Sequence, residues 1–290
     1  MKLSKSTIFK LTLASATINL DQTNADATSD ANQQLAESLV DEWCLTQDPN
    51  SLNYVNQFNP ACENHFPDGR SGNNGTLSLA GRKLKNLKML ILWLQPEHRF
   101  ARYCYYGCWC LPDLSHADLT PKFGVPIDPI DSSCKHQSQC YDCAKMDHGE
   151  ECISDEVAYK YELVADPTDP DNHLKKTINC LDDPNKARRS CNRAICECDK
   201  KLAEDLRTNY GFWVEGHHQE QGGFDTSVCQ PDPKSSPGSG TLECCGKNDG
   251  VRLPFRTGEF GQRGCCGSTT FDSTLQECCS DDDVRFIGAC

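Results

Sequence analysis

The sequence predicts a mainly α, disulfide-stapled domain followed by a small irregular or β cysteine-rich tail. Three observations carry that expectation. The chain holds 21 cysteines in 290 residues, spread in short-spaced clusters, and dense cysteine at modest hydrophobicity marks an extracellular fold held by disulfides. Apolar residues recur at helical spacing, at Leu84, Leu87, Ile91 and Leu94 and again at Ile195, Leu202 and Leu206. A Pro/Gly/Ser stretch, residues 230–241, then sets off a segment whose cysteines come in adjacent pairs. Zinc is the rival use of so many thiols, but no Cys-x2-Cys pair is matched by a second such pair or by a His pair at finger spacing.

From the N-terminus, Met1 to Lys10 is basic, Ile8, Phe9, Leu11 and Leu13 form a short apolar run, and Ala14-Ser15-Ala16 offers small residues for cleavage. Residues 1–16 therefore read as a signal peptide and the chain as secreted. Residues 17–76 form a polar extension with acidic Asp21, Asp26 and Asp30, in which Cys44 and Cys62 are expected to bridge. Asn74-Gly75-Thr76 is a glycosylation acceptor. The main domain is assigned to residues 77–229. Its first helix carries Arg82, Lys83, Lys85 and Lys88 near its start, is stopped by Pro96, and is read as a cover for the core. No segment approaches the length of a transmembrane span. A net charge of −13 argues against nucleic acid and against general attraction to anionic membranes. It suits cation-rich surroundings, mineral included, although solubility accounts for most of it.

Tyr106-Gly107-Cys108-Trp109-Cys110 and Cys134-Lys135-His136-Gln137-Ser138-Gln139-Cys140-Tyr141 resemble the calcium loop and active-site helix of secreted phospholipase A2, which reads Cys-Cys-x-x-His-Asp-x-Cys-Tyr along that helix. Gly124-Val125-Pro126-Ile127-Asp128 with Asp131 is similar to the segment leading into the helix, and Cys191-Asn192-Arg193-Ala194-Ile195-Cys196-Glu197-Cys198-Asp199 to the family's second long helix. The likeness spans about residues 77–229 and implies a pair of long antiparallel helices. It also implies the bridges Cys110–Cys134, Cys140–Cys198, Cys108–Cys229, Cys152–Cys191 and Cys180–Cys196. One family disulfide is missing at both ends, where Ser133 and Asp205 stand, as a correct alignment requires.

The same resemblance implies that the chemistry is gone. The family's reaction needs a neutral imidazole to take a proton from water attacking the ester, and Gln137 stands in its place with an amide that does not titrate. His136, one step along the helix, is turned away by roughly 100° and reads as a surface histidine. Ser138 replaces the calcium aspartate, and calcium needs about 6–8 oxygen ligands with carboxylates among them. The segment Leu111–His116 lacks the family's glycine turn. Asp113 and Asp118 are weak substitutes for a metal site. No catalytic residue and no cofactor are therefore expected. Asp199, on the apolar stripe of its helix, should be buried and hydrogen-bonded. Gln137, Tyr141 and Tyr159 are its expected donors, with Tyr161 at a second family tyrosine position.

Residues 242–290 carry Glu243-Cys244-Cys245-Gly246, Cys265-Cys266-Gly267 and Glu277-Cys278-Cys279, with Val251-Arg252 echoed by Val284-Arg285. They resemble the di-cysteine repeats of galaxin-like matrix proteins. Seven cysteines leave one over, to bridge to the main domain or to another molecule. Ser280-Asp281-Asp282-Asp283 is either a calcium or mineral contact or, more simply, a solvated acidic turn. The expectation is a secreted, non-enzymatic phospholipase A2-like protein of an extracellular matrix, or a binding protein, with matrix, mineral, lipid or a receptor as partner. Its rivals are a calcium-dependent phospholipase A2 acting on the sn-2 ester through a rearranged site, and a non-hydrolytic lipid- or receptor-binding module.

Overall fold

A computed structural model describes residues 79–97, 100–110, 123–154, 157, 159–169, 172–230, 239–247 and 249–290, with side chains of the first helix from Asn86 onward. The expected signal peptide, the expected Cys44–Cys62 bridge, the glycosylation acceptor sequence, the centre of the linker, Asp113 and Asp118 lie outside the described residues.

Three helices make the framework. Helix α1, Leu79–Leu94, buries Leu87, Leu90, Ile91 and Leu94 at 0–3% exposure. Its last turn closes with Gln95 N–H donating to the Ile91 carbonyl, directly before Pro96. Helix α2, Pro129–His148, starts where the Asp128 carboxylate caps the Asp131 N–H with proline at the first helical position, and ends at Gly149 with φ 97°. Helix α3, Ala187–Thr208, buries Ile195, Cys196, Cys198, Asp199, Leu202, Ala203 and Leu206. Ser133 near the start of α2 meets Asn209 just past the end of α3, and Cys140 bonds Cys198 midway, so the two long helices run antiparallel. The core lies where α1 packs against α3, together with Phe100, Tyr103, Tyr105 and Tyr106.

A hairpin that the sequence reading did not place, β1 (Tyr161–Val164) with β2 (Thr177–Cys180), sits in the main domain. Its partners are joined by a polar stretch in which Asp166, Asp169 and Lys175 pair. Cys180–Cys196 and Cys152–Cys191 pin the hairpin and the segment before it to α3. Cys108–Cys229 and Cys110–Cys134 pin the Tyr106–Cys110 segment to the end of the domain and to α2.

The tail is three antiparallel hairpins: β3 (Leu242–Cys245) with β4 (Leu253–Arg256), β5 (Arg263–Cys266) with β6 (Thr269–Asp272), and β7 (Gln276–Cys278) with β8 (Val284–Phe286). Adjacent residues of a strand point to opposite faces, so vicinal cysteines bond in opposite directions. Cys245 reaches forward to Cys265, Cys266 to Cys278, and Cys279 to Cys290. The glycine after a cysteine pair turns the chain out of the strand at positive φ, 141° at Gly246 and 58° at Gly267. At Gly246 a Cβ would stand 2.1 Å from the Val251 carbonyl oxygen, so no other residue fits there.

The odd tail cysteine goes inward. Cys244 bonds Cys143 of α2, so it serves the chain itself rather than a second molecule. Arg252 reinforces the join, 3.2 Å from the Asp147 carboxylate and donating to the Cys244 carbonyl at 2.7 Å. The first hairpin is thus seated on the C-terminal half of α2, and the tail does not hang free beyond its linker.

Lys88 of α1 is 1% exposed, with its ammonium 5.4 Å from the Phe100 ring centre. Burial lowers its pKa to about 7, offset in part by Cys104. The unfolded chain holds this proton to about pH 10, whereas the folded chain releases it near neutrality. The unfolded state therefore binds more protons above pH 7, and stability rises with pH through that window. Lys88→Met is expected to raise the melting temperature at pH 7 and to remove about 1–2 kcal/mol of the gain between pH 7 and 9, as read by thermal melts at both pH values.

Candidate functional site

The Asp199 carboxylate sits at 0% exposure between α2 and α3. Its Oδ1 accepts from Gln137 Nε2 at 2.8 Å and from the Tyr141 hydroxyl, and its Oδ2 accepts from the Tyr159 hydroxyl at 2.7 Å. Gln137 Nε2 also donates to the Tyr141 oxygen at 2.7 Å. The helix geometry brings these together. Gln137 and Tyr141 are one turn apart on α2, and the Cys140–Cys198 bond fixes α2 against α3 at the adjoining residues. Tyr159 arrives from the segment before β1, and Tyr161 packs its ring edge-on against it at 6.0 Å between centres. Burial, and then the neighbouring Asp199 charge, push the Tyr159 hydroxyl well above its ordinary pKa, so it remains a proton donor to the carboxylate. Both oxygens of a buried charge are thereby served, which is the condition for keeping it in a dry interior.

The neighbours of this network divide sharply. Gln137 is 7% exposed, His136 is exposed and Ser138 is half-buried. Ser133 Oγ donates to the Pro129 carbonyl at 2.8 Å and accepts from Asn209 Nδ2 at 3.1 Å. Asp205, at the second position where the resemblance implies a family disulfide, pairs with Lys201.

Two further carboxylates fix the approach to α2. Asp131 is fully buried and accepts the N–H groups of Cys108, Trp109 and Ile127 at 2.7–3.1 Å. Burial raises its pKa, while those three bonds act in the opposite sense. Gly107, at φ 63°, is required here, since a Cβ would lie 2.5 Å from the Asp131 carboxyl carbon. Asp128 caps the helix with one oxygen and uses the other to bind His217 Nδ1 at 2.8 Å and the Tyr106 hydroxyl. The sequence reading missed His217. It lies 89 positions from Asp128, and no local pattern marks it.

Residues 84–212 match the phospholipase A2 family model. The basic phospholipase A2 beta-bungarotoxin A5 chain of Bungarus multicinctus is 30% identical over 135 residues, 46% of this chain and 80% of that relative. The chain belongs to the phospholipase A2 family. The A-AL4 chain of the same snake is 30% identical over 121 residues, covering 41% of this chain and 71% of its own length. The A4 chain of Bungarus candidus is 31% identical over 121 residues, 41% of this chain and 66% of its own. The tail lies outside the stretch that the family model matches. Among the described residues of this phospholipase A2-family chain, 18 cysteines form nine disulfides, which suits an extracellular protein. No helix among them is long and apolar enough to cross a membrane.

Proposed function

We propose that this chain is a secreted, non-hydrolytic phospholipase A2 scaffold acting in an extracellular matrix or as a binding protein. The observation that carries the reading is Gln137. At the position of the family's histidine it directs its amide Nε2 to Asp199 and Tyr141. A primary amide takes up no proton near neutral pH, so nothing at this position can activate water.

The residues present also do not fit calcium. The aspartate position holds Ser138, whose hydroxyl supplies no charge to a divalent cation. The scaffold is read as one that works without a cofactor. The di-cysteine tail supports a matrix setting by its likeness to galaxin-like repeats. Partners of the matrix, mineral, lipid or receptor class then follow from what such a scaffold can display.

The test is release of fatty acid from phosphatidylcholine liposomes with and without calcium. No release above background is expected. Turnover abolished by a chelator would overturn the reading in favour of a rearranged phospholipase A2, and liposome co-sedimentation without hydrolysis would favour the lipid-binding form of the scaffold. The double variant Gln137→His, Ser138→Asp is expected to remain inactive in the same assay, because the glycine turn that follows the Cys-x-Cys in the family is absent from Leu111–His116.

A further inference from the structure

The docked hairpin completes a cleft at the back of the helix pair. Ala144 and Asp147 of α2, Ser190 and Ala194 of α3, and Asp249 and Arg252 of the tail line about 610 Å³, and the cleft is also bounded by Cys140 and Cys198, which bond to each other. The tail is essential to it, and residues 249–252 lie beyond the 84–212 stretch shared with the family. The helix faces contribute Ala144 and Ala194, each one turn from one end of the Cys140–Cys198 bond. The acidic side chains belong to Asp147 and Asp249. Arg252 is the only lysine or arginine among the lining residues, and it is already held by the Asp147 carboxylate and the Cys244 carbonyl. Lys186, on the loop beside the cleft, pairs with Asp183 at 3.8 Å.

A cleft that combines small side chains with two carboxylates suits a ligand that is aliphatic along its length and cationic at its tip. Lysine side chains have this build: a four-carbon stem that lies along apolar surface and a compact ammonium that stays at the polar edge. The chain's net charge of −13 favours encounter with a basic partner over an acidic one. We propose that this cleft receives a lysine side chain from a basic segment of a partner protein, its stem along Ala144 and Ala194 and its ammonium at the Asp147 and Asp249 carboxylates. The role is independent of the Gln137 site, since Gln137, Tyr141, Tyr159 and Asp199 do not line the cleft.

Fluorescence anisotropy of the full-length secreted protein tests this, with a labelled, end-blocked peptide Gly-Gly-Lys-Gly-Lys-Gly-Gly and its glutamate counterpart as probes. Saturable binding of the lysine peptide alone is expected. Asp249→Lys and Ala194→Phe should each weaken it by about tenfold or more, equivalent to about 1.4 kcal/mol. Asp281→Lys, the same charge change on the last tail hairpin, should leave it within about twofold, a difference of less than 1 kcal/mol. Absence of saturable binding overturns the proposal, as does full binding by Ala194→Phe. Equal weakening by Asp281→Lys and Asp249→Lys also overturns it, since the attraction is then general charge. Should Ala194→Phe fail to fold, the exposed Asp249 and Asp281 variants decide between them.

Discussion

Gln137→Leu is expected to lower the melting temperature by roughly 5–10 °C, corresponding to about 2–3 kcal/mol in a domain of this size. Leucine fills the volume of glutamine but offers no N–H to Asp199 Oδ1, which then loses its amide donor while the Tyr141 hydroxyl stays on that oxygen. The cost arises because the carboxylate is fully buried and water cannot replace the lost donor. Gln137→His, which restores a ring N–H, should melt close to the parent protein. Circular dichroism melts of the three proteins at neutral pH measure both effects. An unchanged melting temperature for Gln137→Leu would mean that the network is a passive remnant and not a stabilising element. The pairing of these variants with the liposome assay matters, because it separates holding the fold from performing chemistry at one and the same position.

The second large effect is expected at the junction with the tail. Cys143→Ser opens a link between residues 101 positions apart, but Cys108–Cys229 and Cys110–Cys134 already shortcut that span, so the closed loop is roughly 30 residues and the cross-link is worth about 3–4 kcal/mol of chain entropy. The first hairpin would then be held on α2 mainly by Arg252 with Asp147, a contact that salt weakens. The variant should show hydrogen exchange in β4 that speeds up strongly and increases further at high salt. It should also expose the Cys244 thiol to maleimide and yield a covalent dimer on non-reducing gels. Protection of β4 equal to that of the parent protein would show that packing, and not the disulfide, seats the tail. The double variant Cys143→Ser, Cys244→Ser separates loosening from mispairing, since it should loosen without dimerising.

The phospholipase A2 likeness is legible in the sequence because its motifs are local. Tyr106–Cys110, Gly124–Asp131 and Cys191–Asp199 each occupy a single segment, where spacing on one helix or turn decides what faces what. The same locality explains the α2 cap, since Asp128, Pro129 and Asp131 are neighbours in the chain. What escapes is whatever closes over long separations without a pattern of its own. His217 reaches Asp128 across 89 positions, and Cys143 reaches Cys244 across 101. In the second case cysteine counting shows that a partner is needed but not which one. The β1–β2 hairpin is hidden for a different reason. Each strand is only four residues long, too short for alternation to stand out, and its stability comes from the Cys180–Cys196 bond and from packing on α3. The cleft beneath the tail is the least legible feature of all, since it needs two helix faces and a hairpin from three distant parts of the chain.

The alternating cysteines of the tail have a mechanical consequence. From Cys290 a covalent route runs to Cys279, through one peptide unit to Cys278, on to Cys266, to neighbouring Cys265, to Cys245, to neighbouring Cys244, and so to Cys143 in α2. A load applied at residue 290 therefore passes through four disulfides and the backbone of three vicinal pairs, and bypasses every hairpin loop. Each hairpin can lose its hydrogen bonds without lengthening this route. The tail under tension behaves as a short, inextensible tether anchored in the long helix of the main domain.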